Sequence, residues 1–146
     1  MNLTELYNLA FAIASQAHKG QRDKAGLDYI LHPVRVSNHC TSPLAKIVAL
    51  LHDTIEDTNV TPDYLRQQGF PEVIVEAVLT LTHSKEQPYE DYVKILATNP
   101  VCREVKLADL EDNMDVRRLP QLTDTDVARL RKYLRAWHYL QAVDSE

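Results

Sequence analysis

The scarcity of glycine and the absence of a strand pattern constrain the fold of this chain most strongly. Only 3 of its 146 residues are glycine, and no segment sustains the alternation of apolar and polar residues that marks a half-buried strand. Apolar residues instead recur at three- and four-residue intervals near the N-terminus, at Leu3, Leu6, Ala10, Ile13, Ala14 and Ala17. This spacing forms one apolar stripe along a helix. We therefore predict an all-α protein.

Helix start and stop signals divide the chain into several short helices. Asn2 and Glu5 resemble a capping box, and Pro43 fits the first turn of a helix that leads into the segment "LLHDTIEDT". Further helices are predicted in the segments 71–83, 89–97, 100–119 and 123–143. Thr123 or Asp124 fits the cap of the last helix. Because no repeat, low-complexity tract or linker interrupts this pattern, we predict a single domain over residues 1–146.

Charge and cysteine content narrow the functional class. The net charge of −5 argues against a general nucleic-acid-binding protein, which is usually basic. Cys40 and Cys102 lie far apart and favour a reducing environment over a disulfide framework. The first twenty residues resemble a helix and not a signal peptide, and no apolar run approaches the ~20 residues of a membrane span. We expect a cytoplasmic protein without nucleic-acid or membrane partners; the composition favours no particular oligomeric state.

An acidic segment follows the apolar run "AKIVAL". In "LLHDTIEDT" one histidine and three carboxylates stand together without a lysine or arginine beside them. On a continuous helix, His52 lies one turn before Glu56 and Asp53 one turn before Asp57, so that all four side chains share one arc. Carboxylates at a helix C-terminus oppose the macrodipole by ~0.3–1 kcal/mol each. The segment is therefore either a solvated acidic helix end or a cation-binding site.

Two residues elsewhere in the chain favour the cation-binding interpretation. His32 stands at the start of a short helix predicted in "ILHPVRVSNHC", with Pro33 in its first turn, and Asp109 lies among apolar neighbours in "VKLADLEDNMD". A carboxylate that points inward needs a partner, because an isolated buried charge is very costly. The candidate ligands of a divalent metal ion are His32, His52, Asp53 and Asp109. Mixed imidazole and carboxylate ligands suit manganese, iron, cobalt or zinc better than calcium. Glu56 and Asp57 can then act as general base or acid.

These motifs resemble those of a known family. "YILHP", "LLHDTIEDT" and "VKLAD" contain the ordered H…HD…D signature of the HD-domain metal-dependent phosphohydrolases. From about the first helix to Met114, the segments "AHKGQRDKAGLDYILHP", "HDTIEDT" and "KLADLEDNMD" resemble the hydrolase domain of the Rel/SpoT enzymes and of the stand-alone small alarmone hydrolases. The resemblance implies an HD-type helical bundle that removes the 3′-pyrophosphate of (p)ppGpp, usually with Mn²⁺. The resemblance includes no synthetase domain, so we expect these residues not to synthesise alarmones.

The resemblance also implies roles for individual residues. The positions that match the metal ligands of the family are His32, His52, Asp53 and Asp109, and those that match its water-activating pair are Glu56 and Asp57. Lys24 takes the position of a basic residue near the phosphates, and Asn113 that of an asparagine that contacts the nucleotide. Asp23 stands where the family has a base-stacking arginine, so Arg22 is the candidate replacement. Asp28 stands where the family usually has proline, and Leu110 where it often has arginine. These three departures affect residues expected to recognise guanine and leave the candidate metal ligands unchanged.

Two functions remain open at this point. The first is an enzyme that hydrolyses a phosphate ester or pyrophosphate bond of a nucleotide, with (p)ppGpp as one candidate substrate. The second is an HD module that senses a nucleotide without turnover. The intact pair of Glu56 and Asp57 favours the enzyme, whereas the altered loop around Asp23 favours the sensor.

Overall fold

The computed structural model describes residues 1–143, and this part of the chain is almost entirely helical. Its only strand-like pairing is a single bridge between Arg22 and Asp28. The helices are α1 (Leu3–Ala17), α2 (Leu31–His39), α3 (Pro43–Leu51), α4 (Thr54–Asp57), α5 (Pro62–Gln67), α6 (Glu72–Leu81), α7 (Tyr89–Ala97), α8 (Pro100–Asn113), a 3₁₀ turn (Val116–Arg118) and α9 (Asp124–Val143). The prediction of an all-α protein is confirmed. None of the described helices is long and apolar enough to cross a bilayer.

Helix α3 forms the centre of the hydrophobic core. Its residues from Ile47 to Leu51 are all at most 1% exposed, as expected for a helix that is apolar on every side. Helix α3 packs against α1, α2, α6 and α8, and α2 also packs against α8. Because α3 ends inside this packing, the polar residues that follow it, His52 and Asp53, emerge between α2 and α8.

The predicted helix caps are present at both ends of the chain. The Asn2 side chain accepts a hydrogen bond from the Glu5 backbone N–H at 2.8 Å. Thr123 is the cap of α9, since its hydroxyl accepts from the Asp126 N–H at 3.2 Å and the Asp126 carboxylate accepts from the Thr123 N–H at 3.0 Å. This reciprocal pair is a capping box, which satisfies two otherwise orphaned N–H groups.

The predicted continuous helix through "LLHDTIEDT" is wrong. Helix α3 ends at Leu51 and α4 begins at Thr54, so His52 and Asp53 form the turn between them. The His52 Nδ1–H donates to the Ala49 carbonyl, and the Thr54 hydroxyl donates to the Leu51 carbonyl at 2.8 Å. These side-chain donors occupy carbonyls that a continuous helix would offer to backbone N–H groups further along.

The predicted helix over residues 100–119 also ends early. Helix α8 stops at Asn113, and the Asp115 carboxylate accepts from the Arg117 N–H at 3.3 Å to start the 3₁₀ turn. The chain thereby turns back over the end of α8. The Arg118 guanidinium donates to the Asp112 carbonyl at 3.1 Å. It thus replaces the backbone N–H that the next turn of α8 would have provided.

Candidate metal centre and adjoining cavity

Three elements bring imidazole and carboxylate groups to one buried point. His32 comes from the first turn of α2, His52 from the turn after α3, and Asp109 from α8. One ligand-type atom from each residue lies within 4.8 Å of the others. Asp109 Oδ1 is 2.9 Å from His32 Nε2 and 3.3 Å from His52 Nε2. The structure therefore brings together three of the four candidate ligands in a geometry that can hold a metal ion.

Asp53, the fourth candidate ligand, borders this group without belonging to its tightest part. Its Oδ2 atom lies 3.2 Å from His52 Nε2 and 3.7 Å from His32 Nε2. The same oxygen accepts a hydrogen bond from the Tyr29 hydroxyl at 2.6 Å. Tyr29 therefore fixes the orientation of Asp53 toward the two imidazoles, a role that sequence reasoning did not assign to it.

The two imidazole rings are oriented by their second nitrogens. His32 Nδ1 lies 2.6 Å from Asp112 Oδ2, and His52 Nδ1 faces the Ala49 carbonyl. An ionised carboxylate and a carbonyl can only accept, so both Nδ1 atoms carry a hydrogen. The Nε2 atom of each ring therefore faces Asp109, to which it donates a hydrogen bond while the ring is protonated. Once deprotonated, Nε2 would present its lone pair to a metal ion, as metal-binding histidines do.

The surrounding carboxylates favour positive charge at this point. Burial alone would lower the pKa of His32, but its hydrogen bonds to Asp109 and Asp112 raise that pKa to about 10. Burial alone would raise the pKa of Asp109, but Lys106 and the two histidines hold it well below its usual range. The donor set therefore suits a cation, whether a proton or a metal ion, and the residues fit the ion that the H…HD…D motif implies.

Glu56 and Asp57 lie on α4, outside the buried cluster. The Glu56 Oε1 atom accepts a hydrogen bond from the His83 backbone N–H at 2.8 Å, and both carboxylates are exposed. Burial and the nearby carboxylates of Asp53 and Glu56 raise the pKa of Asp57 to about 6. The proposed acid–base pair is therefore solvent-accessible.

A cavity of about 290 Å³ opens beside His32 and is rich in arginine and lysine. Its basic lining residues are Arg22, Lys24, Arg35, Arg118 and Arg129. Lys24 Nζ lies 3.3 Å from Asp126 Oδ1, so the predicted phosphate-binding lysine bridges the loop to α9. Asn113 also lines the cavity, and its amide donates to Asp109 Oδ1 at 3.1 Å. The candidate substrate-binding residues Arg22, Lys24 and Asn113 thus share one cavity.

The Asp23 carboxylate is bound within the loop that precedes α2. Its carboxylate accepts hydrogen bonds from the backbone N–H groups of Ala25 and Leu27, each at 2.9 Å. Gly26, at φ +83°, supplies the left-handed conformation that this tight loop needs. Asp23 therefore organises its own loop, and it also lines the cavity beside His32.

Sequence reasoning missed several residues around the site. The segment "RLRKYLR" has the composition of a solvated basic helix face, yet Arg129 and Tyr133 of α9 line the cavity. His18, which follows α1, is buried, and this burial lowers its pKa. Asp112 follows Asp109 by three residues, which puts both on neighbouring helix positions. That spacing was the available signal for Asp112.

Comparison with known proteins places these features among described enzymes. The guanosine-3′,5′-bis(diphosphate) 3′-pyrophosphohydrolase of Haemophilus influenzae is 39% identical over 117 residues, which cover 70% of this chain and 17% of that protein. The corresponding protein of Aquifex aeolicus is 31% identical over 119 residues, covering 73% of this chain and 16% of the relative. A probable GTP pyrophosphokinase of Mycobacterium leprae is 31% identical over 121 residues, which cover 75% of this chain and 15% of that protein.

A solved structure supports the same relationship at the level of the fold. It is that of a metazoan ortholog of SpoT that hydrolyzes ppGpp; it covers 92% of this chain and 84% of its own, with a TM-score of 0.73 and 20% sequence identity. The predicted HD-type helical fold is therefore confirmed. No family model matches the chain. The chain spans less than a fifth of the length of the three curated relatives.

Proposed function

Because this chain belongs to the HD-type hydrolase domains of the Rel/SpoT kind, we propose that it is a metal-dependent phosphohydrolase that removes the 3′-pyrophosphate of (p)ppGpp or of a closely related nucleotide. The observation that carries the proposal is the convergence of His32 Nε2 and His52 Nε2 on the Asp109 carboxylate. A buried cluster of this kind is costly without a cation, and its donor atoms match those that divalent transition metals prefer.

The proposed ligands are His32, His52, Asp53 and Asp109. Mn²⁺ is the proposed ion, and iron, cobalt and zinc share its preference for mixed nitrogen and oxygen ligands. A divalent ion supplies Lewis-acid activation of water and neutralises charge on the phosphate. The residues of the chain supply the remainder: Tyr29 holds Asp53, and Asn113 and Lys106 hold the two oxygens of Asp109.

Proton transfer is assigned to Glu56 and Asp57. The hydrogen bond from the His83 N–H fixes the Glu56 carboxylate without neutralising it, so it can still accept a proton from water. Two carboxylates serve better than one here, because one can take the proton from the attacking water while the other delivers a proton to the ribose 3′-oxygen as the pyrophosphate is released.

The nucleotide phosphates are assigned to the cavity beside His32. Lys24 and Arg22 reach it from the loop before α2, and Asn113 reaches it from the end of α8. We add Arg129, because the described residues provide neither a hydrogen bond nor an ion pair for its guanidinium. A phosphate in the cavity would supply that missing anion.

The two buried free cysteines, Cys40 and Cys102, fit a reducing cytoplasm.

The test is turnover of a nucleotide panel by the purified protein with added Mn²⁺. The panel holds ppGpp, pppGpp and the adenine counterpart of ppGpp, and the readout is released pyrophosphate. We expect turnover of a guanine substrate in the wild type and none in His52→Ala or Asp109→Ala, which also lose the metal ion. His138→Ala is the matched control, because His138 is an exposed histidine on α9.

The same experiment separates the enzyme from a nucleotide-sensing module. A sensor would bind Mn²⁺ and a nucleotide but release no pyrophosphate from any member of the panel. That result would overturn the proposed activity while leaving the metal site intact.

A further inference from the structure

The geometry points to Asp112 as a positioning residue of the metal centre, which orients His32 and is itself held by Arg35. The inference rests on the proposed metal site and extends it to two residues to which no role has yet been assigned. The family motif leaves the position of Asp112 open, so the role belongs to the contacts of this chain.

Asp112 contacts His32 on the side away from the metal point. Asp112 Oδ2 is 2.6 Å from His32 Nδ1, while Asp109 Oδ1 is 2.9 Å from His32 Nε2. The imidazole is therefore held between two carboxylates of the same helix. Because Asp112 is a pure acceptor, it keeps the hydrogen on Nδ1 and leaves the Nε2 lone pair for a metal ion.

Arg35 fixes the plane of the Asp112 carboxylate. Its Nε donates to Oδ1 at 2.7 Å, and its second guanidinium nitrogen donates to Oδ2 at 3.1 Å. Such a two-point contact sets both the position and the rotation of a carboxylate. Asp112 is only 5% exposed and needs positive charge beside it, which Arg35 supplies at 2.7 Å and Arg118 at 3.6 Å. Arg35 thus acts on His32 through Asp112.

The arrangement follows from equal spacing on two packed helices. His32 and Arg35 are three residues apart on α2, and Asp109 and Asp112 are three residues apart on α8. Residues with this spacing are neighbours on one helix face. Two neighbouring pairs therefore interlock where α2 packs against α8, and the ring of His32 has a single orientation that satisfies both carboxylates.

A positioning role and a merely structural role predict different results. A structural role of Asp112 would lower the stability of the metal-free protein and leave the intrinsic metal affinity unchanged. A positioning role lowers metal affinity even in a variant that folds normally. Loss of a carboxylate behind a metal-binding histidine typically weakens metal binding by ~10–100-fold.

The decisive variant is Asp112→Asn, which keeps the shape of the side chain. Its amide group can donate to His32 Nδ1 and so favour the tautomer whose hydrogen occupies Nε2. We expect Mn²⁺ affinity, measured by titration of the metal-free protein with detection of free Mn²⁺ by electron paramagnetic resonance, to fall about tenfold or more. Nitrogen chemical shifts of His32 in the Zn²⁺-loaded protein should report the changed ring environment.

Asp63→Asn is the matched control. Asp63 pairs with an arginine, Arg66, on α5, so its loss should leave the metal affinity unchanged. Arg35→Met should weaken metal binding, and Arg35→Lys should restore part of the affinity because an ammonium group can hold one carboxylate oxygen. This series gives an independent answer if Asp112→Asn does not fold.

The outcomes distinguish this inference from the proposed function. Wild-type affinity in Asp112→Asn, or in both Arg35 variants, overturns the positioning role. Failure of the wild type to bind any of Mn²⁺, Co²⁺ and Zn²⁺ overturns the proposed metal site itself.

Discussion

At the scale of single residues, Lys106 shows how the centre balances its charges. Its Nζ lies 2.9 Å from Asp109 Oδ2 and 5.3 Å from the centroid of the Tyr92 ring. Burial opposes the charged form, but Asp109 and the tyrosine rings outweigh it and keep the pKa of Lys106 well above its usual range. Lys106 therefore takes one oxygen of Asp109 and leaves the other, Oδ1, facing the two histidines.

We predict that Lys106→Met destabilises the metal-free protein. Removing one partner of a buried ion pair leaves a carboxylate without its cation, and the expected loss is about 3 kcal/mol in the free energy of unfolding. Urea unfolding monitored by circular dichroism measures it. Lys94→Met on α7, where the lysine is exposed, should change the free energy little. Equal stability of the two variants would mean that the protonated histidines already compensate Asp109.

Glu56 carries a second prediction at this scale. Glu56→Gln can still accept the His83 N–H through its side-chain oxygen, so the fold and the metal ion should be retained. Turnover of ppGpp should fall by ~10²–10⁴-fold, as is typical when a general acid or base is removed. Steady-state kinetics with metal analysis measures both quantities, and Glu90→Gln on the exposed face of α7 serves as control. Full activity in Glu56→Gln would assign the proton transfer elsewhere.

At the scale of elements, the loop between α2 and α3 is tied to α8 by one carboxylate. A Glu104 oxygen accepts hydrogen bonds from the backbone N–H groups of Thr41 at 2.6 Å and Ser42 at 3.1 Å. Burial opposes ionisation, but these donors outweigh it and lower the pKa of Glu104. The tie joins α8, which carries Asp109, to the loop between α2, which carries His32, and α3, which leads to His52. It thus supports the relative placement of the proposed metal ligands.

We predict that Glu104→Gln costs about 1 kcal/mol of stability at pH 7, since a hydrogen-bonded charge near the surface contributes modestly. Because the folded-state pKa is depressed, the contribution is complete above the unfolded pKa of about 4.3 and is lost as the pH falls through the folded value. The stability difference between wild type and Glu104→Gln should therefore shrink below about pH 4. Urea unfolding across pH 3–7 tests this, and a pH-independent difference would contradict it.

At the scale of the whole molecule, a metal ion should couple to folding. Its proposed ligands come from α2, the turn after α3, and α8, so only the folded chain brings them together. At a free Mn²⁺ concentration of 100 times the dissociation constant, the native state should gain about 2.7 kcal/mol. Thermal unfolding with Mn²⁺ and with a chelator measures the shift.

His52→Ala is the control for this prediction, because its unfolding temperature should not respond to either addition. A wild type that is equally insensitive would exclude a specific site.

The prediction of a single domain over residues 1–146 stays a prediction, which one cooperative unfolding transition would support.

Local signals in the sequence were sufficient for the all-α fold class and for the starts of several helices. Helical spacing predicted the all-α fold, and cap residues such as Asn2 and Thr123 predicted helix starts, because both depend on neighbours within one turn. Local signals failed where side chains compete for the backbone. The turn at His52 is an example, since its ring takes a carbonyl from the helix that precedes it.

The sequence by itself determined that this chain is helical and that it carries two histidines and several carboxylates of the kind that bind metal ions. Only the tertiary structure decided how those groups are oriented. His32 and Asp112 are 80 residues apart in the chain yet 2.6 Å apart in space, and Lys24 reaches Asp126 across 102 residues. Such contacts depend on how α2, α8 and α9 pack, which is a property of the whole core and not of any segment within it.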